Sequence, residues 1–183
     1  RFRFIGYLEN HDQIANSAWG SRLGQITAPG SYRAAVTLLM LGPWTPMIFQ
    51  GQEFGASTPF LYFANPDPAT ARSTGGGRRK FLSQVPSIAD GIMVQFLAEP
   101  GREDTFAQSR LDLQERQRNY RFYSLFKDLV HLGKTDEVFS RRGRTGLEGA
   151  VLSERAFVLR FFGPGGDRLL VVNLGADLHF APA

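Results

Sequence analysis

Three polar side chains, Asn10, His11 and Asp12, stand directly after the apolar run of RFRFIGYLE, residues 1–9. A second apolar run, beginning at Pro46, ends in the same way, in Gln50, Gln52 and Glu53. Polar and ionisable groups at the C-terminal ends of two strands are where a parallel barrel builds its active face. The alternative is two polar loop starts without a role. Residue types narrow the other chemistries. The chain has no cysteine, which excludes disulfides, thiolate metal sites and cysteine nucleophiles. Its three histidines, at 11, 131 and 179, lie far apart without paired spacing, so no metal-ligand cluster is expected. His131, near the end of a helical stretch, reads as a favourable C-terminal charge or a solvated residue. Gly75, Gly76 and Gly77 lack the spacing and the Lys-Ser/Thr ending of a phosphate loop and read as a flexible tip.

The elements that would position the polar groups follow from periodicity. Residues 1–9 predict a strand, with Phe2 and Phe4 alternating with Arg1 and Arg3. Residues 13–30 read as a loop punctuated by Gly20, Gly24, Pro29 and Gly30. Ser31 is the expected N-cap of a helix over YRAAVTLLMLG, which Gly42 and Pro43 end. Residues 46–53 predict a second strand. Strand, loop, helix, strand is one βαβ step, and a start-to-start spacing of about 45 residues implies a long loop on the functional side. Residues 56–108 read as loop-rich. An amphipathic helix follows near 114–132, with Phe122, Leu125, Phe126, Leu129 and Val130 on one stripe and Gly133 as its stop. From about residue 147 the period becomes two. GAVLSE, AFVLRFF and RLLVVNL then predict antiparallel strands, with residues 163–167 as a hairpin loop.

With 183 residues, the chain is long enough for one domain and part of a second, burying roughly 70% of its unfolded surface. Hydrophobic residues make up 43% and charged residues 21%, as in globular proteins. Sixteen Phe imply a large core or aromatic ligand platforms. The net charge is +4 and the isoelectric point about 9.8. The arginines are scattered rather than striped, so no nucleic-acid partner is expected. No apolar run reaches the roughly 18 residues of a membrane span, and no membrane partner is expected. The lack of cysteine fits a cytoplasmic location. The chain starts on Arg1, inside a strand-like run with no signal peptide before it, and is expected to be a piece of a longer protein.

ENHDQIANSAWGSRL, followed by LLMLGPWTPMIFQGQEFGASTPFLYF, resembles the α-amylase superfamily of glycoside hydrolases. The order and spacing of NHDQ, TPMIFQGQEF and ASTPFLYF point within it to the branch that releases trehalose from malto-oligosyltrehalose, and REDTFAQSRLD adds to that likeness. The strong likeness covers about residues 4–67 and recurs weakly at 103–132, while the β module matches only in kind. The resemblance implies an α/β fold: the C-terminal part of a (β/α)8 barrel over residues 1–134, then part of an antiparallel β-sandwich over 135–183. Residues 1–9 would be the seventh barrel strand and 46–53 the eighth.

The chemistry implied is retaining cleavage of the α-1,4-glucosidic bond next to the terminal trehalose, through an oxocarbenium-like transition state attacked by a carboxylate nucleophile with help from a carboxylic acid. Asp12 would be the third carboxylate, which stabilises the cationic ring; a fixed anion shielded from water does this better than solvent. His11 would donate to hydroxyls of the same sugar. Asn10 is a substrate-binding candidate whose more natural task is holding the turn. The superfamily's nucleophile and acid lie on strands expected before residue 1; Glu9 and Glu53 are the substitutes within the chain. Trp19, Phe60, Tyr62 and Phe63 are candidates for stacking on sugar rings, whereas Trp44 reads as core. Arg22 would meet a hydroxyl or carboxylate, or form a surface salt bridge. No cofactor or metal is implied. Two alternatives remain: a glycogen branching or debranching relative, and a non-catalytic glycan-binding protein. The partner in each case is an α-glucan.

Overall fold

The computed structural model describes residues 3–17, 19–65, 67–85, 97–141 and 146–179. Its elements run β1 (Ile5–Gly6), α1 (His11–Ala15), α2 (Leu23–Ile26), α3 (Pro29–Leu41), β2 (Thr45–Pro46), a 3-10 turn (Gln52–Phe54) and α4 (Pro68–Leu82). They continue with α5 (Glu103–Gln108), α6 (Glu115–Arg118), α7 (Tyr120–Thr135), a second 3-10 turn (Phe139–Arg141), β3 (Leu147–Ser153), β4 (Ala156–Phe161) and β5 (Arg168–Asn173). These fall into two compact units that interleave in sequence.

The first unit comprises Arg1–Leu8, Thr27–Ile48 and Arg121–Ala183. In it β1 and β2 pair in parallel, Ile5 opposite Thr45 and Gly6 opposite Pro46, with α3 as the connection. Proline has no N–H to give a ladder. Here none is required, because Thr45 N donates to Phe4 O at 3.0 Å and Met47 N to Gly6 O at 2.8 Å. The expected βαβ step is therefore present, with shorter strands than residues 1–9 and 46–53 predict; Phe2 lies outside the described residues. Beyond the second strand, Gly51, at φ 85°, leads the chain into the 3-10 segment and Gly55, at φ 60°, ends it.

Helix α3 starts at Pro29 rather than after Ser31. Proline's fixed φ suits the first helical position, and no side chain caps the helix at Ala28. Tyr32, Val36, Leu39 and Met40 form its buried stripe, and Tyr32 stacks on Phe122 with centroids 5.3 Å apart. Trp44 packs as expected. Its Nε1 donates to Leu39 O at 3.0 Å, and its ring lies so close to Gly6 and Gly42 that a Cβ on either would sit 2.4 Å from it.

The predicted single helix over 114–132 is two. Asn119 interrupts it at φ −100°, ψ 30°. Its Nδ2 donates to Phe54 O at 3.0 Å and Gly55 O at 3.2 Å, which pulls the backbone out of helical register. Helix α7 then buries Phe126 and Leu129 and runs past Gly133, itself buried, to Thr135. One glycine costs a helix only about 1 kcal/mol, so the stripe carries the helix through it. The strands β3, β4 and β5 form an antiparallel sheet in that order, with Ala150 opposite Val158 and Val158 opposite Val171. Phe161, Leu170 and Val172 are buried, whereas Leu169 and Val171 face outward; Val151, in the same row as Val172, is exposed because β3 is an edge strand. Asp167 closes the β4–β5 hairpin by accepting from Gly163 N at 3.2 Å and Arg160 Nε at 2.6 Å.

The second unit comprises Glu9–Ile26 and Phe49–Tyr120, with Ile14, Phe54, Leu61 and Leu82 in its core. Residues 13–30 are not a plain loop, since they hold most of α1 and all of α2. Nor is the stretch 56–108 loop-rich throughout. Gly75, Gly76 and Gly77, expected as a flexible tip, lie inside α4. That helix is nucleated by Asp67, which accepts from Ala69 N at 3.0 Å and Thr70 Oγ1 at 2.6 Å, and by Pro68 at its first position. The glycine run is spanned at its C-terminal end by Arg78, which reaches Ala15 O and Asn16 Oδ1, and Arg79, which pairs with Glu99.

Candidate functional site

The polar triplet begins a helix rather than ending a strand. Asn10 is the N-cap of α1: its Oδ1 accepts from Asp12 N at 2.8 Å and Gln13 N at 3.4 Å, while Gln13 Oε1 accepts from Asn10 N at 3.0 Å. This is a reciprocal capping box, and its Asn-x-x-Gln spacing was readable in the sequence. Asn10 thus spends its side-chain oxygen on backbone. His11 and Asp12 occupy the first two helical positions, where the helix dipole favours a negative charge. His11 Nε2 lies 3.3 Å from Asp12 Oδ1, and the two side chains are 64% and 70% exposed. Among the described residues nothing shields Asp12 from water, contrary to the sheltered setting expected of it.

Glu9, in contrast, is 3% exposed. Its Oε2 accepts from Leu23 N, at the start of α2, at 2.6 Å, while Oε1 has no hydrogen-bond partner among the described residues. Burial raises its pKa above the ordinary glutamate value, opposed by the Leu23 N–H and the charge of Arg22. Arg22 is buried as well, not at the surface where one of the two expectations for it put a salt bridge. Its Nε donates to Thr58 O and its Nη1 to Gln50 O, both at 2.7 Å, and its guanidinium lies 5.6 Å from the centroid of the Phe49 ring. Gln52 is buried beside them and accepts from Phe49 N at 3.1 Å. Glu53 is partly exposed and sits 3.6 Å from Arg116 Nη2. Neither glutamate is presented as a free acid.

The aromatic candidates divide. Trp19 is 53% exposed. The next residue, Gly20, lies so close to Phe60 that a Cβ would meet its backbone at 2.8 Å, and Phe60 N donates to Gly20 O at 3.0 Å. The segments carrying Trp19 and Phe60 are therefore adjacent. The Phe60 ring itself is engaged edge-on by Phe49 at 5.0 Å and Phe63 at 5.8 Å, and Phe63 by Phe106 at 5.1 Å. Tyr62 is partly exposed, and Arg78 lies over its ring at 4.7 Å. Because the same guanidinium grips Ala15 and Asn16, it ties Tyr62 to the helix that carries His11 and Asp12. Arg78 falls in the stretch 56–108 expected to be loop-rich; the only sequence signal for its helix is the Asp67-Pro68 start. Among the described residues no group of His, Asp and Glu is arranged to hold a metal ion. An open depression of about 550 Å³ beside α5 is lined by Arg102, Glu103, Asp104 and Ala107, none of them a candidate.

No family model matches the chain. It is 35% identical over 182 residues to a malto-oligosyltrehalose trehalohydrolase from Deinococcus radiodurans, covering 95% of this chain and 28% of that protein. It is 34% identical over 138 residues to one from Rhizobium sp. strain M-11, covering 74% of this chain and 22% of that protein. The trehalohydrolase of Saccharolobus solfataricus is 32% identical over 133 residues, covering 72% of this chain and 21% of that protein. The chain thus spans under a third of the length of these relatives. Among solved structures, one from Salmonella typhimurium described as an alpha amylase matches with a TM-score of 0.78 at 25% identity, covering 99% of this chain and 31% of that one. A family GH13_31 enzyme matches in fold, with a TM-score of 0.55 at 15% identity over 93% of this chain and 34% of that one. Sequence and fold together make this chain a relative of the malto-oligosyltrehalose trehalohydrolases and of α-amylase-family enzymes.

Proposed function

We propose that the chain contributes to a retaining glycoside hydrolase that cleaves the α-1,4-glucosidic bond next to the terminal trehalose of malto-oligosyltrehalose. In this reading residues 1–134 belong to the C-terminal part of a catalytic (β/α)8 barrel and residues 135–183 to an all-β domain beside it. The observation that carries the substrate is the 35% identity to a trehalohydrolase across 95% of the chain. The parallel β1–α3–β2 step, with His11 and Asp12 following β1 in the chain, supports the barrel.

Asp12 is the residue on which the chemistry rests. As the glycosidic bond lengthens, the sugar ring becomes cationic. A carboxylate held at a fixed place favours that state, and favours it more as water is expelled. Since Asp12 is exposed here, the bound sugar itself must supply much of that exclusion. His11, 3.3 Å from the carboxylate, donates to a hydroxyl of the same ring. Trp19 and Tyr62 offer aromatic surface to neighbouring sugars. The nucleophile and the general acid are not assigned to this chain, because Glu9 holds backbone and Glu53 pairs with arginine.

The test is product analysis. The full-length protein, incubated with maltotriosyltrehalose, is expected to release free trehalose. A change in the iodine stain of amylose without any trehalose would instead point to a branching or debranching relative, and binding of maltodextrin without turnover to a glycan-binding protein.

A further inference from the structure

Glu9 and Arg22 are buried charged groups that the roles above leave unused, and Gln52, in the segment Arg22 holds, is buried too. Each is 3% exposed or less, and buried charges are retained at a cost unless they are tied. The ties run to backbone. Glu9 Oε2 holds Leu23 N, and Arg22 holds the carbonyls of Gln50 and Thr58. The fit is close: a Cβ on Gly51 would meet Ala56 and Leu111 at 2.8 Å and lie 3.4 Å from Arg22 Nη1. Three segments are joined in this way, residues 9, 22–23 and 50–58. Glu9 is also bonded covalently to Asn10, the cap that starts α1 and aligns the backbone of Asp12. Where Glu9 is held therefore sets where α1 begins and where its first-turn carboxylate stands.

We propose that Glu9 and Arg22 are positioning residues, a buried brace that fixes the start of α1 and so aims Asp12 at the sugar ring. The proposal rests on the role given to Asp12 above. Displacing a reacting or stabilising group by about 1 Å costs up to about a hundredfold in rate, so a small slackening of the brace is enough to be read kinetically.

The test uses the full-length protein with maltotriosyltrehalose, measuring kcat, KM and thermal melting. Glu9→Ala, which removes the acceptor for Leu23 N, is expected to lower kcat between about 10-fold and 100-fold with KM changed less than about twofold. Glu9→Gln, which keeps an acceptor oxygen of the same reach, is expected to recover most of that loss. In an Asp12→Asn background the Glu9→Ala penalty is expected to vanish, because residues acting through one group are not additive. Should Glu9→Ala fail to fold, Arg22→Lys takes its place, since it keeps the cation but cannot span both carbonyls; if neither folds, the brace serves the fold alone and the proposal falls. An unchanged kcat in Glu9→Ala, or a penalty undiminished in the Asp12→Asn background, overturns it too. A full kcat in Asp12→Asn alone instead overturns the reading of Asp12 on which it rests.

Discussion

Asp12 and Glu9 are three residues apart and opposite in character: one carboxylate in water, the other enclosed. The contrast yields separate predictions. Asp12→Asn should lower kcat by about 100-fold or more, the scale of removing one stabilising group from a transition state. Its melting temperature should hardly move, because the lost side chain is exposed; a melt alongside trehalose release distinguishes the two effects. Glu9 predicts a pH dependence of stability. Its folded-state pKa lies above the ordinary value of 4.5 because of burial. As pH rises past that value, the unfolded chain releases the proton first and the folded chain still holds it, so stability falls until the folded group has also ionised. Glu9→Gln does not titrate. As pH rises from the ordinary glutamate value of 4.5, the wild type should therefore lose melting temperature relative to Glu9→Gln. A constant difference would refute the raised pKa.

Elements here are held by caps and clamps more than by propensity. Helix α1 has five residues, too few to persist alone in water; the capping box and the Arg78 clamp hold it. Removing a cap costs about 1 kcal/mol, so Asn10→Ala should lower the melting temperature and speed amide exchange of residues 11–15. Helix α4 carries the opposite burden, three glycines in its interior. A Cβ at Gly76 or Gly77 would meet nothing within 4 Å. Alanine there should stabilise the helix by about 1 kcal/mol per site, read as slower exchange across 68–82. Gly75 is a poorer site, since its Cβ would come within 3.2 Å of Glu99 Oε2. Helix α4 also shows where the expectation of a loop-rich stretch over 56–108 fails: Asp67 followed by Pro68 is how a helix starts.

At the scale of the whole chain, the described surface carries more apolar area than single scattered residues account for. Leu169 and Val171 lie on the outward face of the three-stranded sheet, Val151 is exposed on its edge strand β3, and Phe4 and Ile5 are exposed at β1. Open strand edges and exposed apolar faces promote association. Residues 1–183 expressed alone should therefore associate with rising concentration in light scattering, whereas a monomeric, cooperative melt would contradict this.

The parallel step, the amphipathic stripe of α7 and the antiparallel strands with their Gly163–Asp167 hairpin were all legible in the amino-acid order, because each rests on local periodicity or a local breaker. The burial of Glu9 and Arg22, the break at Asn119 and the helix through Gly75–Gly77 were not. Each depends on a partner far along the chain: Arg22 on Thr58, Asn119 on Phe54, and Arg78 on Ala15. A sequence states which donors and acceptors exist, but only folding brings a guanidinium within reach of a distant carbonyl. That meeting decides whether a charge is a solvated surface group or a buried brace.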